Sequence, residues 1–227
     1  MRYILAVFFF LNVAFSSTDF SELKALAESG DMDAQENLGR AYYYGIGVEE
    51  DEGEGIKWLR LAAERGNAEA QWQLGGIYLV GYGEKEYEQE GVYWLRLAAE
   101  QGNVDAIYAL SGSYLNGIGV EKNKEEGARL LNLAAEKGSV VAQLQLGNAY
   151  YHGKGVIKDR AEGVKWLRLA AEQGNAEAQF KLGGYYYAID SYGVGAEKDE
   201  EEGSKWFQLA CDQGSTAACE LYDSYKQ

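Results

Sequence analysis

Residues 142–175 read AQLQLGNAYYHGKGVIKDRAEGVKWLRLAAEQGN, and this stretch contains the pattern that decides the fold. In its first half, Ala142, Leu146 and Tyr150 are spaced four residues apart. Side chains at that spacing share one face of an α-helix. The first half therefore predicts a helix, which we call helix A.

The second half of the stretch predicts another helix, which we call helix B. The pairs Trp166-Leu167 and Ala170-Ala171 occupy positions i, i+1, i+4 and i+5, which form a helical stripe rather than the alternation of a strand. Gly153 and Gly155 lie between the two patterns, and glycine permits the positive φ of a tight connection. The stretch is thus a helix–turn–helix unit.

This unit recurs along almost the whole chain. Copies begin, at steps of 36 residues, at Ala34, Ala70, Ala106, Ala142 and Ala178, and a last copy begins 40 residues later at Ala218. A two-helix unit cannot bury its apolar stripe alone, so neighbouring units must stack. The sequence predicts an all-α solenoid over residues 17–227. Its units are approximately 34–69, 70–105, 106–141, 142–177 and 178–217, between half-units 20–33 and 218–227.

Cap residues mark the ends of the predicted helices. Good N-cap residues precede helix A at Asp31, Asn67, Asn103, Ser139, Asn175 and Ser215. Residues suited to the left-handed position after a helix follow helix B at Gly30, Gly66, Gly102, Gly138, Gly174 and Gly214. Capping-box patterns begin helix B at Asp51, Asn123, Asp159 and Asp199. Tyr87 takes this place in the second unit, so we expect that helix end to fray.

Composition excludes several functions. The 227 residues carry 36 acidic and 21 basic side chains, a net charge of −15. Such a field repels phosphate, so we expect binding neither to nucleic acid nor to an anionic membrane surface. The chain has 29 glycines and no proline. Proline-rich linkers and collagen-like structures are therefore excluded.

The first 16 residues predict a secretory signal peptide. Arg2 precedes a mostly apolar run over residues 4–15, and Ala14 and Ser16 are small residues suited to cleavage after Ser16. An apolar run of about 12 residues is too short to cross roughly 30 Å of hydrocarbon. We therefore expect a secreted or periplasmic mature chain without a membrane-spanning segment.

Three motifs recur in order: Ala-Gln-x-x-Leu-Gly-x-x-Tyr in helix A, Gly-x-Gly-Val in the turn, and Trp-Leu-x-x-Ala-Ala-Glu-x-Gly-Asn in helix B. They resemble the Sel1-like repeat family, which is related to tetratricopeptide repeats. The resemblance covers residues 20–227, and the best copies are 34–67 and 142–175. It implies a right-handed α-solenoid that binds a protein or peptide without a cofactor or metal, and we expect a monomer.

The chain departs from the family at one place in helix B. Where relatives usually have alanine, it has Gly55, Gly91, Gly127, Gly163 and Gly203. Glycine in a helix interior costs about 1 kcal/mol relative to alanine. A closer approach between helices could offset this cost.

The two cysteines, Cys211 and Cys219, are predicted to form a disulfide. In the solenoid register, Cys211 is late in one helix B and Cys219 early in the following helix A, and an antiparallel turn brings such positions together. The spacing is similar to the bridge of Helicobacter cysteine-rich proteins in this repeat family. Two buried free thiols are the alternative.

The tetratricopeptide resemblance implies that helix A lines a concave binding face. Its groove positions lie two, six, nine and ten residues after the repeat alanine, and three of the second set are Gly76, Gly112 and Gly184. Acidic flanks favour a neutral or basic partner. In the alternative, the first and third sets are half-buried packing between helices. The predicted partner-binding residues are Glu36, Arg40, Tyr43, Tyr44, Trp72, Tyr108, Asn148, Tyr151, His152, Phe180 and Tyr187.

Two features could indicate catalysis. Ser21 and Lys24 match the Ser-x-x-Lys motif of penicillin-recognising enzymes, but the sequence lacks the Ser-Asp-Asn and Lys-Thr-Gly motifs that complete such a site. His152 is the only histidine, too few for an ordinary zinc site. We therefore predict a binding scaffold with no catalytic or metal-ligating residues. The alternatives are a β-lactamase-like or other penicillin-recognising hydrolase, and a lumenal adaptor in secretory quality control.

Overall fold

A computed structural model describes residues 17–81, 85–187 and 199–225, which include no β-strand. The predicted signal peptide, residues 1–16, lies outside the described part, as do Gly83, Gly193 and Gly195. The twelve helices are α1 (Ser17–Ser29), α2 (Met32–Tyr44), α3 (Glu52–Glu64), α4 (Ala68–Gly81), α5 (Lys85–Glu100), α6 (Val104–Asn116), α7 (Lys124–Glu136), α8 (Val140–His152), α9 (Arg160–Glu172), α10 (Ala176–Tyr187), α11 (Glu200–Asp212) and α12 (Thr216–Tyr225).

The even-numbered helices are helix A of successive repeats, and the odd-numbered helices are helix B. Helix α1 is a lone helix B at one end, and α12 is a lone helix A at the other. This order confirms the predicted all-α repeat fold. Among the described residues, no helix is both long and apolar enough to cross a membrane.

The predicted caps form at most helix ends. The Asp31 side chain accepts a hydrogen bond from the Ala34 amide at 2.8 Å, and Asn67 repeats this bond one unit later. At the start of α3, Asp51 accepts from the amide of Glu54. Every predicted glycine after helix B has a positive φ, between 87° and 97°. These glycines end each helix because they adopt the left-handed conformation without strain.

The second repeat differs from the prediction at its turn. Gly81 is the last residue of α4, and α5 already begins at Lys85, so Tyr87 lies inside the helix. In the first repeat Gly45 and Gly47 both have positive φ, and the corresponding helix begins only at Glu52. The sequence pattern placed the start of α5 too late because it relied on a cap residue that this repeat lacks.

Contacts divide the chain into two compact parts of several repeats each, which we call the first unit and the second unit from here on. The first comprises residues up to 106 with 117–121, and the second comprises 107–116 with the residues from 122 onward. Within the first unit, Leu59, Leu74 and Trp94 pack in one buried cluster. Within the second, Leu167, Leu182 and Trp206 occupy the same repeat positions in another cluster.

The helix-B glycines allow the two helices of a repeat to cross closely. A Cβ atom on Gly55 would lie 2.7 Å from the backbone nitrogen of Tyr43 and 2.8 Å from the carbonyl oxygen of Gly39. A Cβ atom on Gly39 would in turn lie 2.8 Å from the backbone nitrogen of Leu59. No side chain fits at either position. The close crossing therefore explains the departure from alanine at Gly55, and a Cβ atom on Gly91, Gly127 or Gly163 would also lie within 3.0 Å of the crossing helix.

Buried glutamines join helix A to the helix B before it in four repeats. Gln71 Nε2 donates to the Ala63 carbonyl at 2.9 Å, and Gln143, one of its repeat equivalents, donates to Ala135. A glutamine from the next helix B continues the network, as Gln101 Nε2 donates to Gln71 Oε1 at 2.8 Å. The buried amides are thus satisfied while they link successive repeats.

At the last repeat, Cys211 of α11 and Cys219 of α12 are joined by a disulfide, with their Cα atoms 4.7 Å apart. Phe207 and Ala218 are buried beside this connection, and Leu221 packs against them. The bridge therefore lies at the edge of the last apolar cluster and links it covalently to the terminal helix.

Candidate protein-binding face

Three glycines at the second set of groove positions leave open space on helix A. A Cβ atom added to Gly76, Gly112 or Gly184 would meet no atom within 4 Å. They contrast with Gly39 and Gly55, where a Cβ atom would clash with backbone. Internal packing therefore does not require glycine at these three positions.

The other two members of the second set are polar. Arg40 Nε lies 3.7 Å from a carboxylate oxygen of Glu36, one helical turn away. Asn148 Oδ1 is buried and accepts no hydrogen bond from any described residue. A buried amide oxygen without a donor is costly.

Two members of the first set of groove positions, Glu36 and Tyr108, contact the next repeat. Glu36 is only 6% exposed and accepts a hydrogen bond from Gln73 Nε2 at 2.6 Å. In the second unit, the Tyr108 hydroxyl accepts a hydrogen bond from Gln145 at 2.6 Å. Both acceptors lie two residues after the repeat alanine, and both donors lie three residues after the next one. Sequence reasoning missed these glutamines, because the same repeat position has Asn37, Ala109 and Lys181 in the other repeats and so gives no regular signal.

The buried carboxyl of Glu36 is electrostatically unusual. Burial raises its pKa above the usual 4.5, although Arg40 and the hydrogen bond from Gln73 oppose the shift. Glu36 therefore belongs to the contact between helices more than to an open surface.

Two aromatic residues predicted in the groove pack between helices of their own unit. Phe180 packs against Phe207, with ring centroids 5.8 Å apart. The Tyr151 ring stacks on Tyr185 at 3.8 Å. Burial and the neighbouring Tyr151 raise the pKa of Tyr185 to about 12. These contacts fit the alternative in which such residues contribute to half-buried packing.

The remaining predicted residues differ in exposure. Tyr44 is 46% exposed and contacts the half-buried Tyr43 edge to face. His152 is exposed, and Trp72 is half-buried. The side chain of Tyr187 lies outside the described residues. Positions six and ten after the repeat alanine therefore form the open strip of helix A. In the first unit it includes Arg40, the exposed Tyr44 and Val80, and Gly76. In the second unit it includes Gly112, Gly184 and the exposed His152.

The Ser-x-x-Lys motif that suggested catalysis lies on a different helix from this strip. Ser21 and Lys24 are both exposed on α1. Among the described residues, no group of three or more His, Cys, Asp or Glu side chains could hold a metal ion.

Solved structures show where this architecture occurs. The chain is 33% identical to a Sel1 repeat protein from Oxalobacter formigenes, with a TM-score of 0.83 over 91% of this chain and 59% of that one. It is 27% identical to c5321, a protective antigen of uropathogenic Escherichia coli with an SLR fold, with a TM-score of 0.51 over 91% of this chain and 51% of that one. The chain thus spans between half and three fifths of these two proteins.

A more distant likeness concerns the fold alone. The immunity protein Pa5087 from Pseudomonas aeruginosa is 20% identical, with a TM-score of 0.59 over 86% of this chain and 73% of that one. No curated protein gives a significant sequence match.

The family assignment comes from the repeats themselves. The model of the Sel1 repeat family matches five consecutive segments, which are residues 33–67, 68–103, 104–139, 140–175 and 176–215. These segments include most of the chain and the helix pairs from α2 to α11. The chain therefore belongs to the Sel1 repeat family.

Proposed function

We propose that this chain is a scaffold that binds a protein or peptide partner along the open strip of helix A. Sel1 repeat proteins generally act as scaffolds for protein–protein interaction. The observation that carries the proposal is the open space at Gly76, Gly112 and Gly184. Each unit offers its own part of this surface.

The cost of these glycines supports a role outside the fold. Alanine at Gly76 would stabilise α4 by up to about 1 kcal/mol, and it would meet no neighbour. At Gly55 the close crossing of the neighbouring helix explains why glycine is present despite the same loss of helix stability. A partner whose backbone approaches α4 closely would account for it at Gly76.

Polar and aromatic groups could hold such a partner. In the first unit, the strip itself includes the exposed ring of Tyr44 and the guanidinium group of Arg40. Aromatic and arginine side chains frequently dominate binding energy. The net charge of −15 favours a partner that is neutral or basic overall.

A paired substitution tests the proposal. We expect Gly76→Gln with Gly184→Gln to reduce capture of native partners from the producing cell at least about tenfold, because the side chains fill the open space. The helices should remain folded, since glutamine is a better helix former than glycine. Quantitative mass spectrometry of captured proteins and circular dichroism measure the two effects.

A matched control introduces the same residues on the other helices. Ala25→Gln on α1 and Ala161→Gln on α9 change exposed helix-B positions. This control should leave capture unchanged. Equal capture by the glycine variant and the wild type would exclude the helix-A strip as the binding surface.

We also propose that the chain is exported. The signal-like residues 1–16 and the disulfide between Cys211 and Cys219 support this, because disulfides persist in oxidising compartments. Fractionation of the producing cell with sequencing of the mature N-terminus tests it. A cytosolic protein that retains Met1 would refute export.

A further inference from the structure

The turn between α8 and α9 is basic, whereas the corresponding turn between α2 and α3, which we call the first turn, is acidic. Residues 45–52 read GIGVEEDE, whereas the corresponding residues 153–160 read GKGVIKDR. Three cations, Lys154, Lys158 and Arg160, thus occupy positions where the first turn has an isoleucine and two glutamates. The fourth turn is locally basic in a chain of net charge −15.

Cations from two elements converge beside this turn. Lys154, Lys158 and Arg160 act on the exposed His152 ring together with Lys181 from α10. Lys181 also lies 3.5 Å from a carboxylate oxygen of Glu177. Asp159, the acid within the turn, caps α9 by accepting from the Glu162 amide. Within the described part of the chain, no ion pair is formed by Lys154 or Lys158.

An exposed apolar side chain lies among these cations. Ile157 is 91% exposed, whereas the first turn has Glu49 at this position. Three residues after Ile157, Arg160 lies over the Tyr151 ring, with its guanidinium carbon 5.5 Å from the ring centroid. The Tyr151 ring is itself fixed by its stack on Tyr185. The turn thus presents an exposed isoleucine and several cations, and the stacked rings of Tyr151 and Tyr185 pack beneath Arg160.

We infer that this basic turn, residues 152–160 with Lys181, binds an acidic peptide segment that carries an apolar side chain. Acidic groups of the segment would pair with Lys154 and Lys158, and its apolar side chain would cover Ile157. This inference deepens the proposed function, on which it rests, by naming the chemistry of one part of the partner. A partner can be neutral or basic overall and still carry such a segment.

The charge of the whole chain favours a peptide over other anions. Nucleic acid and anionic membranes are extended polyanions, and the chain as a whole, at a net charge of −15, repels them. A short acidic segment needs only the local turn. The exposed Ile157 also matches a peptide side chain better than it matches a phosphate backbone.

Fluorescence anisotropy with purified full-length protein tests the inference. The probe is a short dye-labelled peptide of glutamate and leucine residues, and the comparison is a peptide with lysine in place of glutamate. We expect the glutamate peptide to bind, the lysine peptide not to bind, and the affinity to fall as salt rises. Lys154→Glu with Lys158→Glu should raise the Kd about tenfold or more, because two attractions become repulsions.

Two further variants sharpen the test. Lys122→Glu reverses the charge at the corresponding position of the preceding turn, so it should leave the Kd unchanged. Ile157→Asn should raise the Kd about fivefold through lost apolar contact. Glutamate is the natural residue at the position of Lys158 in the first turn, so the charge variant should keep its melting temperature.

The inference is overturned if the glutamate peptide fails to bind, binds the charge variant equally well, or is displaced by an oligonucleotide or by anionic vesicles. Its failure is separable from that of the proposed function. If only the inference is wrong, the glutamine variants at Gly76 and Gly184 still lose native partners. If the helix-A strip is wrong, those variants retain them, whatever the peptide does.

Discussion

At the scale of single residues, neighbours decide what a side chain can do. Glu36 and Tyr108 share a repeat position, but each is engaged by a glutamine of the next helix A. Asn148, on the same face, keeps a buried oxygen without a described donor. His152 lies exposed among cations. Available groups on this surface therefore differ from one repeat to the next.

The protonation of His152 provides a direct measure of its surroundings. Burial and the positive charges of Lys154, Lys181, Lys158 and Arg160 lower its pKa below the usual 6.5. We expect the nuclear magnetic resonance titration of its ring protons to show a midpoint below 6.5. The assignment needs no mutagenesis, because the chain has one histidine.

The lowered pKa of His152 makes the stability of the fold depend on pH. As the pH falls below 6.5, the unfolded chain takes up the proton first, so stability is lost as the pH approaches the folded-state pKa. Lys154→Glu with Lys158→Glu should move the midpoint upward, whereas Lys122→Glu should not move it. A wild-type midpoint at or above 6.5 would contradict the described environment.

The sequence predicted where residues lie on helix A but not what they contact. The spacing of Ala34, Leu38 and Tyr42 determines the face on which Glu36 and Arg40 lie. It does not show that Gln73 reaches Glu36, because that contact depends on the stacking distance between helices. Burial of Glu36 therefore emerged only from the structure.

At the scale of helices, two kinds of glycine have opposite roles. Gly55 permits the close crossing of α2 and α3, where a Cβ atom would lie 2.7 Å from the backbone of Tyr43. Gly76 lies on α4 with no atom within 4 Å of its missing side chain. The first kind stabilises the repeat through packing, whereas the second leaves the surface open.

A matched pair of alanine substitutions distinguishes the two kinds. We expect Gly55→Ala to lower the free energy of unfolding by about 1–3 kcal/mol, since the clash outweighs the gain in helix propensity. Gly76→Ala should raise it by about 0.5–1 kcal/mol. Urea denaturation followed by circular dichroism measures both. Changes of the same sign would show that the crossing is looser than described.

Helix boundaries were predictable where their caps are local. Asp51 and Gly66 bound α3 through hydrogen bonds and backbone conformation that depend on a few adjacent residues. The start of α5 was not predictable in this way, because Tyr87 cannot cap a helix and α5 begins earlier, at Lys85. The regular glycines of helix B were visible in the sequence, but their cause was a contact with another helix.

At the scale of the whole molecule, one hydrogen bond between neighbouring helices recurs in most repeats. Glutamines equivalent to Gln71 satisfy carbonyls of the preceding helix in four repeats, whereas the third repeat has the buried Ile107 at this position. The disulfide between Cys211 and Cys219 holds α12 to α11.

Removal of this disulfide should loosen the end of the chain. We expect Cys211→Ala with Cys219→Gln, the residues of the preceding repeat, to destabilise the packing of α12 by about 2–3 kcal/mol through lost loop-closure entropy. Hydrogen exchange should accelerate over Thr216–Tyr225 and remain unchanged over Glu52–Glu64. Unchanged protection of α12 would show that its apolar contacts suffice.

The hydrogen bonds between side chains of successive repeats have a consequence for how the chain is made. They join residues 30 to 37 apart, as in the pairs Gln71 with Gln101 and Glu36 with Gln73. Such short separations favour rapid folding, because little chain must be closed into each loop. A repeat can therefore complete these contacts once the following repeat has left the ribosome, while the rest of the protein is still being synthesised.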